Sequence, residues 1–332
     1  MKRIATVAAL VAAGLAALPA LAADTISAVY AFPKTVVYSK SFIEFVEKAN
    51  AAGKGEFTIQ LRGGPEAIGM FQQGNAVRDG VVDMIYGPCS FYAAAMPECD
   101  AMVASTIDGP TARKNGGVEL FNQIHQKRMG VYYLGWMDSG IKFNIWSVKE
   151  PKFDAQGNLD LRGVKLRGNP IYNAFFEKTL GASPITIPST EHYTALERGT
   201  VDASGWTQIG IMDLNWDKYL KYRIEPAFFS TDLGVVVNQK RWNSLSPKTR
   251  EILQKVAIEH EVSSVKALAE LRVKEFAELE RRGLKVVTMS PEAAKRYLAG
   301  ARASTLARMK ERVEKAGGME NYDRMIQLFT PN

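Results

Sequence analysis

The chain has 332 residues, 46% of them hydrophobic and 23% charged, with a formal net charge of +7 and two cysteines. That length exceeds one ordinary domain and points to two. Acids and bases are interspersed and no basic run is interleaved with aromatic residues, which argues against a nucleic-acid binder, and two thiols ten apart without a His or Cys cluster do not make a structural zinc site.

Residues 1–22 read as an export signal. Lys2 and Arg3 precede an apolar run from Ile4 to Leu18, and Ala20-Leu21-Ala22 is an A-x-A cleavage site. The run is too short for a membrane anchor, and no other segment reaches about 18 apolar residues. We expect an exported chain starting near Ala23, without stable membrane insertion. Losing Lys2 and Arg3 takes the formal charge from +7 to +5. In an oxidising compartment, Cys89 and Cys99 are either a disulfide across a short loop or two buried thiols.

From residue 24 to 140 strand and helix patterns alternate. Strands are expected over Ile26–Ala31, Phe57–Leu61, Val82–Tyr86 and Val131–Trp136, with helices over Ser39–Ala52 and Asn75–Asp79. Lys149 to Asp160, rich in Pro, Gly and charge, reads as a surface excursion.

Residues 161–206 carry the most information: LRGVKLRGNPIYNAFFEKTLGASPITIPSTEHYTALERGTVDASGW. VKLRG and PITIP are short strands. Phe175, Phe176 and Leu180 recur at helical spacing, Gly181 stops that helix, and Ser189 or Thr190 can cap the next. Strand–helix alternation predicts parallel strands with helical crossovers, and open sheets of that kind bind ligands at the C-terminal ends of their strands. Arg167 stands at such an end.

Asp232 to Asn238 is a strongly β-leaning run. Ser246-Pro247 is a helix start, with Ser as cap and Pro at the first helical position. No Pro or Gly interrupts the pattern from there to Arg282, about 36 residues or about 54 Å. It is either one long helix or two with a bend near Ser263-Ser264. Ser290-Pro291 starts another helix.

No catalytic constellation is visible. There is no nucleophile elbow, P-loop or H-E-x-x-H, and no carboxylate pair stands out. His125, His192 and His260 lie far apart, each read as a surface or helix-face histidine.

The segments LRGVKLRG, LGASPITI, EHYTALERG and VDASGW resemble the signature of the extracytoplasmic solute-binding proteins of tripartite ATP-independent periplasmic (TRAP) transporters. AVYAFPKTVVYSKSFIEFVEKAN, VRDGVVDMIYGPCSFYAAAMPE and VVVNQKRWNSLSPKTREILQKVA extend the resemblance over most of the chain. It implies a two-lobed α/β periplasmic-binding-protein fold, type II-like, with an interlobe cleft, hinge strands and a long lobe-spanning helix. The division expected is 23–140 plus about 233–275 for the first lobe, and 141–232 plus about 276–332 for the second. The implied role is capture of an organic acid anion, and its delivery to the membrane permease of the transporter. The protein is expected to be a monomer in the periplasm that is not an enzyme and needs no cofactor. An exported enzyme on the same scaffold is the reading from another class.

The resemblance also nominates residues. Arg167 matches the arginine that pairs with the ligand carboxylate; its planar fork suits that group as no lysine does. Trp206 stands as an apolar wall for the ligand or as ordinary core. Gly205 occupies the position of an acid that helps to hold a metal in some relatives, so no metal is expected. Lys142 falls near a second arginine position of other relatives, with Asn144 beyond it. Strand alternation puts those two on one face and Phe143 on the other. Tyr30, Glu66, Phe91 and Tyr92 are the ligand contacts expected from the first lobe. Together these residues point to a small apolar or aromatic monocarboxylate, with a 2-oxo acid as the alternative.

Overall fold

The computed structural model describes residues 24–331, so the expected export signal lies outside the described residues. Strand β1 (Asp24–Tyr30), helix α1 (Val37–Ala52) and β2 (Phe57–Gly63) form the first crossover. Phe42, Phe45, Val46 and Ala49 recur at three- and four-residue steps and bury the inner face of α1. The chain continues through α2 (Gln73–Arg78), β3 (Met84–Pro88), a 3₁₀ turn at Cys89–Tyr92, α3 (Cys99–Val103), α4 (Gly109–Lys114), α5 (Gly117–Met129) and β4 (Val131–Trp136). A disulfide joins Cys89 to Cys99 with their Cα atoms 5.4 Å apart, tying the 3₁₀ turn to α3.

The chain then crosses to a second sheet. Its elements are β5 (Phe143–Ser147), a small ribbon of β6 (Lys152–Phe153) and β7 (Leu159–Asp160) in the expected excursion, β8 (Leu166–Gly168), α6 (Asn173–Leu180), β9 (Ile185–Thr186), α7 (Ser189–Glu197), β10 (Ala203–Thr207) and β11 (Tyr222–Glu225). It returns as β12 (Leu233–Asn238), which lies antiparallel between β3 and β4. After α8 (Gln239–Ser244) come α9 (Pro247–Arg281), β13 (Lys285–Thr288), α10 (Pro291–Ala316) and α11 (Tyr322–Phe329).

The sheet orders are β2-β1-β3-β12-β4 and β13-β11-β5-β10-β8-β9. Each is mixed, with parallel pairs from the crossovers and antiparallel pairs where the connecting strands insert. Two sheets, each with its own helices, make the two-lobed α/β fold expected from the sequence.

Helix α9 runs unbroken over 35 residues. Ser246 caps it, its Oγ accepting from Thr249 N at 3.0 Å. Glu261 accepts from Arg113 Nη2 (2.8 Å) and Trp136 N (2.8 Å) on the first sheet's side. Further along, Glu275 accepts from Gly210 N at 2.9 Å and Arg282 pairs with Asp217 at 2.8 Å on the second. The division into two helices considered near Ser263-Ser264 does not occur. Instead Ser264 Oγ accepts a bond from Asp138 N (3.2 Å), where the chain leaves β4.

The end of the chain differs from the expected division. Ala293, Tyr297 and Ala301 on α10 pack with the second sheet's helices. Met309, Val313, Met325 and Phe329 instead join a core with Phe121 and Trp136 of the first lobe. Residues 276–332 are therefore shared between the lobes, because α10 is long enough to cross from one core to the other.

Candidate ligand-binding site

Arg167 is the middle residue of β8, hydrogen-bonded between β9 and β10. It is 1% exposed. Its Nε donates to Ile187 O (2.9 Å), and its Nη1 donates to Tyr172 Oη (2.6 Å) and Gly205 O (3.3 Å). The guanidinium carbon stands 5.7 Å from the ring centre of Trp206. Two other buried arginines in the second lobe's surroundings have acids: Arg223 pairs with Glu225 and Glu280, and Arg308 with Asp100. Among the described residues Arg167 has no carboxylate within 4.0 Å. Burying a cation without an acid partner costs several kcal/mol, which its three hydrogen bonds offset only in part.

Tyr172 orients the guanidinium. Its phenol is fully buried, accepts from Arg167 and donates to Gly205 O at 2.7 Å. Burial raises its pKa and Arg167 lowers it part-way. The proton stays on oxygen, as the donation to Gly205 O requires.

Beside Arg167, Trp206 forms one wall of a narrow cavity between the lobes, about 20 Å³ in volume. Phe32 and Phe91 come to it from the ends of β1 and β3. Phe32 meets Trp206 edge to face across the cleft, ring centres 5.8 Å apart. Phe143, Asn169 and Ile171 line it from the second lobe, and Asp232 and Leu233 from the connecting strand. Asp232 is buried, and Ser90 N donates to its Oδ2 at 2.6 Å. The Ser90 hydroxyl lies beside the carboxylate, yet neither Ser90 Oγ nor Asp232 Oδ1 has a well-aligned hydrogen bond. Burial pushes the Asp232 carboxyl up to about 6. The cavity thus pairs an apolar, aromatic wall with a buried acid, while the Arg167 cation stands against the Trp206 ring and outside the lining.

Of the residues nominated from sequence, Trp206 and Phe91 line this cavity, and Arg167 is next to Trp206 without lining it. The others do not line this cavity. Tyr30 is buried under Gly64, where an added Cβ would meet its Cε2 at 2.7 Å. Glu66 is exposed and accepts from Gly64 N (2.6 Å), closing its own loop. The Tyr92 hydroxyl reaches His125 Nε2 (3.3 Å) in the core behind the first sheet. Lys142 is exposed and borders a separate groove with Arg302 and Phe228. Asn144 is in the core, donating to Ile224 O at 2.7 Å. Phe143, which alternation sets on the opposite face from these two, lines the cavity.

The three histidines all lie on helices, as expected, but none is on the surface. His192 packs edge to face on Trp216, ring centres 4.3 Å apart. Burial, with Arg167 adding to it, lowers its pKa to about 2 and keeps it neutral. Ser189 does not cap α7; its Oγ is buried without a hydrogen-bond partner. Sequence reasoning missed Tyr172 and Asp232. The N-P-I-Y run directly after Arg167 was the available signal for the first, and Asp232 opening a β-leaning run for the second. Among the described residues no three His, Cys, Asp or Glu side chains gather to hold a metal ion.

This geometry, a buried arginine within a short strand beside an interlobe cavity, agrees with what sequence comparison finds. The profile of the bacterial extracellular solute-binding protein family 7, DctP, matches residues 28–309. The chain belongs to that family. It is 26% identical over 290 residues to the 2,3-diketo-L-gulonate-binding periplasmic protein YiaO of Escherichia coli, covering 84% of this chain and 86% of that one. It is 26% identical over 250 residues to a monocarboxylate 2-oxoacid-binding periplasmic protein of Nostoc, covering 72% and 66%. Its fold is similar to that of DctP7, a Bordetella pertussis extracytoplasmic solute receptor binding pyroglutamic acid, with a TM-score of 0.78 at 17% identity over 92% of this chain and 99% of that one. The protein is a periplasmic solute-binding protein of the TRAP type. Family and fold are those of receptors rather than enzymes, and among the described residues no helix is long and apolar enough to cross a membrane.

Proposed function

We propose that this DctP-family receptor captures a small organic monocarboxylate with an apolar or aromatic body and hands it to a membrane permease. The carrying observation is the buried guanidinium of Arg167 without an acid partner. A ligand carboxylate supplies the missing anion by accepting from Nη2, since Nε and Nη1 already donate to Ile187 O, Tyr172 and Gly205 O. Trp206, Phe32 and Phe91 then cover the body of the ligand, which gains affinity from apolar area removed from water.

Two features favour one carboxylate over two. Lys142, the only second cation nominated from sequence, borders a different groove. Asp232 places a further negative charge in the cavity, which opposes a dicarboxylate and favours an N–H or O–H donor on the ligand. The pyroglutamate and 2-oxoacid names of the relatives fit monocarboxylates, and a 2-oxo acid is the second reading. The narrow cavity admits such a ligand only when the lobes part, so binding proceeds by opening and closure about the connecting strands and α9. Gly205, standing where metal-holding relatives carry an acid, favours binding without a cation.

A calorimetric series of benzoate-type acids, pyroglutamate, short 2-oxo acids and C4-dicarboxylates tests this reading, repeated after dialysis against a chelator. Monocarboxylates bind, and Arg167→Ala abolishes the heat. Tight succinate or malate binding, or an Arg167→Ala variant of unchanged affinity, overturns it.

A further inference from the structure

Arg308 lies where α10 passes between the lobes. Ala301, earlier on the helix, belongs to the second lobe's core, and Met309 and Val313 belong to the first lobe's. The guanidinium makes four hydrogen bonds. Nε donates to Asp100 Oδ2 (2.8 Å) and Nη2 to Asp100 Oδ1 (2.6 Å), a two-pronged pair. Nη1 donates to Pro170 O (2.7 Å) and Nη2 also to Ile171 O (3.1 Å). Asp100 is fully buried on α3, next to Cys99 and its disulfide. Pro170 and Ile171 form the turn between β8 and α6. Ile171 lines the interlobe cavity, and the next residue, Tyr172, holds Arg167.

We infer that Arg308 and Asp100 form a clasp between the lobes that positions the Asn169–Tyr172 turn, and through it the Arg167 anchor. Both are positioning residues and neither touches the ligand. The chemistry suits an arginine specifically. A carboxylate uses one edge of the fork, and the remaining N–H groups reach two adjacent carbonyls; a lysine ammonium supplies charge but cannot span all three acceptors. Parting the lobes separates acceptors on α3 from acceptors on the turn. Either Asp100 or the two carbonyls then lose their donor, so the clasp favours the closed arrangement. Its consequence for binding rests on the reading of Arg167 given above, but the clasp itself is testable without ligand.

Val81 and Ile185 are 74% and 57% exposed, one on each lobe, and accept spin labels through Val81→Cys and Ile185→Cys with the native disulfide intact. Electron–electron distance measurements on the ligand-free mature chain should show longer or broader distances in Arg308→Lys and in Asp100→Asn. The double variant should add nothing to either single one. Unchanged distances in folded variants overturn the clasp. Hydrogen exchange on the unsubstituted chain covers the case in which a variant fails to fold. Amides of residues 169–173 and of α3 should open together, with rates agreeing to within about tenfold, the weight of roughly one charge-assisted hydrogen bond. Exchange in 169–173 that is faster than α3 by several powers of ten overturns the inference. If the carboxylate series binds nothing and these results hold, the ligand reading fails and the clasp stands; the reverse outcome separates them the other way.

Discussion

The ring of Tyr172 fills the space that a side chain at position 205 would need. A Cβ added to Gly205 would lie 2.7 Å from Tyr172 Cζ and 2.8 Å from Cε1. The phenol there bridges Arg167 Nη1 and Gly205 O. Gly205→Ala should therefore push the ring off its seat, costing about 1–3 kcal/mol by overpacking and loosening Arg167. Tyr172→Phe keeps the ring and removes both hydroxyl bonds, at about 1–2 kcal/mol. Urea denaturation and carboxylate calorimetry on both variants check this. A Gly205→Ala protein with native stability and affinity would show that the ring yields freely.

Arg167 and Arg308 are both buried, and their removal should act in opposite ways. Arg167→Met discards a cation with no acid partner, so the ligand-free protein should keep its stability or gain some. Arg308→Met strands the fully buried Asp100 carboxylate, and should cost about 3–5 kcal/mol. Chemical denaturation without ligand compares them directly. A large loss in Arg167→Met would mean that its hydrogen bonds to Ile187 O, Tyr172 and Gly205 O outweigh its desolvation.

Much of this fold is legible in local sequence. Ser246-Pro247 starts α9 and Gly181, at φ 67°, ends α6, because caps and left-handed stops act within one turn of chain. Local pattern expects Arg167 at the end of a strand, and the structure has it one residue earlier, in the middle of β8. Lys142, Asn144, Tyr30, Glu66 and Tyr92 do not line the cavity, because lining depends on how two lobes meet, which no spacing encodes. Tyr92 and Phe91 are neighbours, yet one faces His125 and the other the cleft. The burial of His192 likewise depends on Trp216 arriving from a later segment.

The Cys89–Cys99 disulfide holds the turn carrying Phe91 against α3. Closing so short a loop should contribute about 2–3 kcal/mol. Replacing both residues by serine should lower the denaturation midpoint accordingly, and adding reductant should shift the unsubstituted chain as far. No shift under either condition would mean that packing alone fixes α3.

The buried network where the chain leaves β4 should set part of the acid response. Asp138 sits at φ 53°, with Ser41 Oγ donating to its Oδ1 (2.7 Å) and Tyr86 Oη donating to its Oδ2. Ser41 Oγ also meets His260 Nε2 at 2.9 Å. Burial pushes the Asp138 carboxyl up to about 6 and pushes His260 down to about 4. A raised acid contributes stability that is fully present below its unfolded value near 3.8 and lost as pH rises through about 6. A depressed histidine does the reverse: its contribution is present above about 6.5 and lost as pH falls through about 4. The two therefore offset each other between about pH 4 and 6, and single substitutions should separate them. Relative to Asp138→Asn, the unsubstituted chain should lose up to about 3 kcal/mol of stability between pH 4 and 7. Relative to His260→Gln, it should gain stability over the same interval. Urea denaturation of the three proteins at several pH values reads both slopes. Parallel curves for all three would show that Ser41, Tyr86 and Ser264 hold this corner of the hinge without either group changing its protonation.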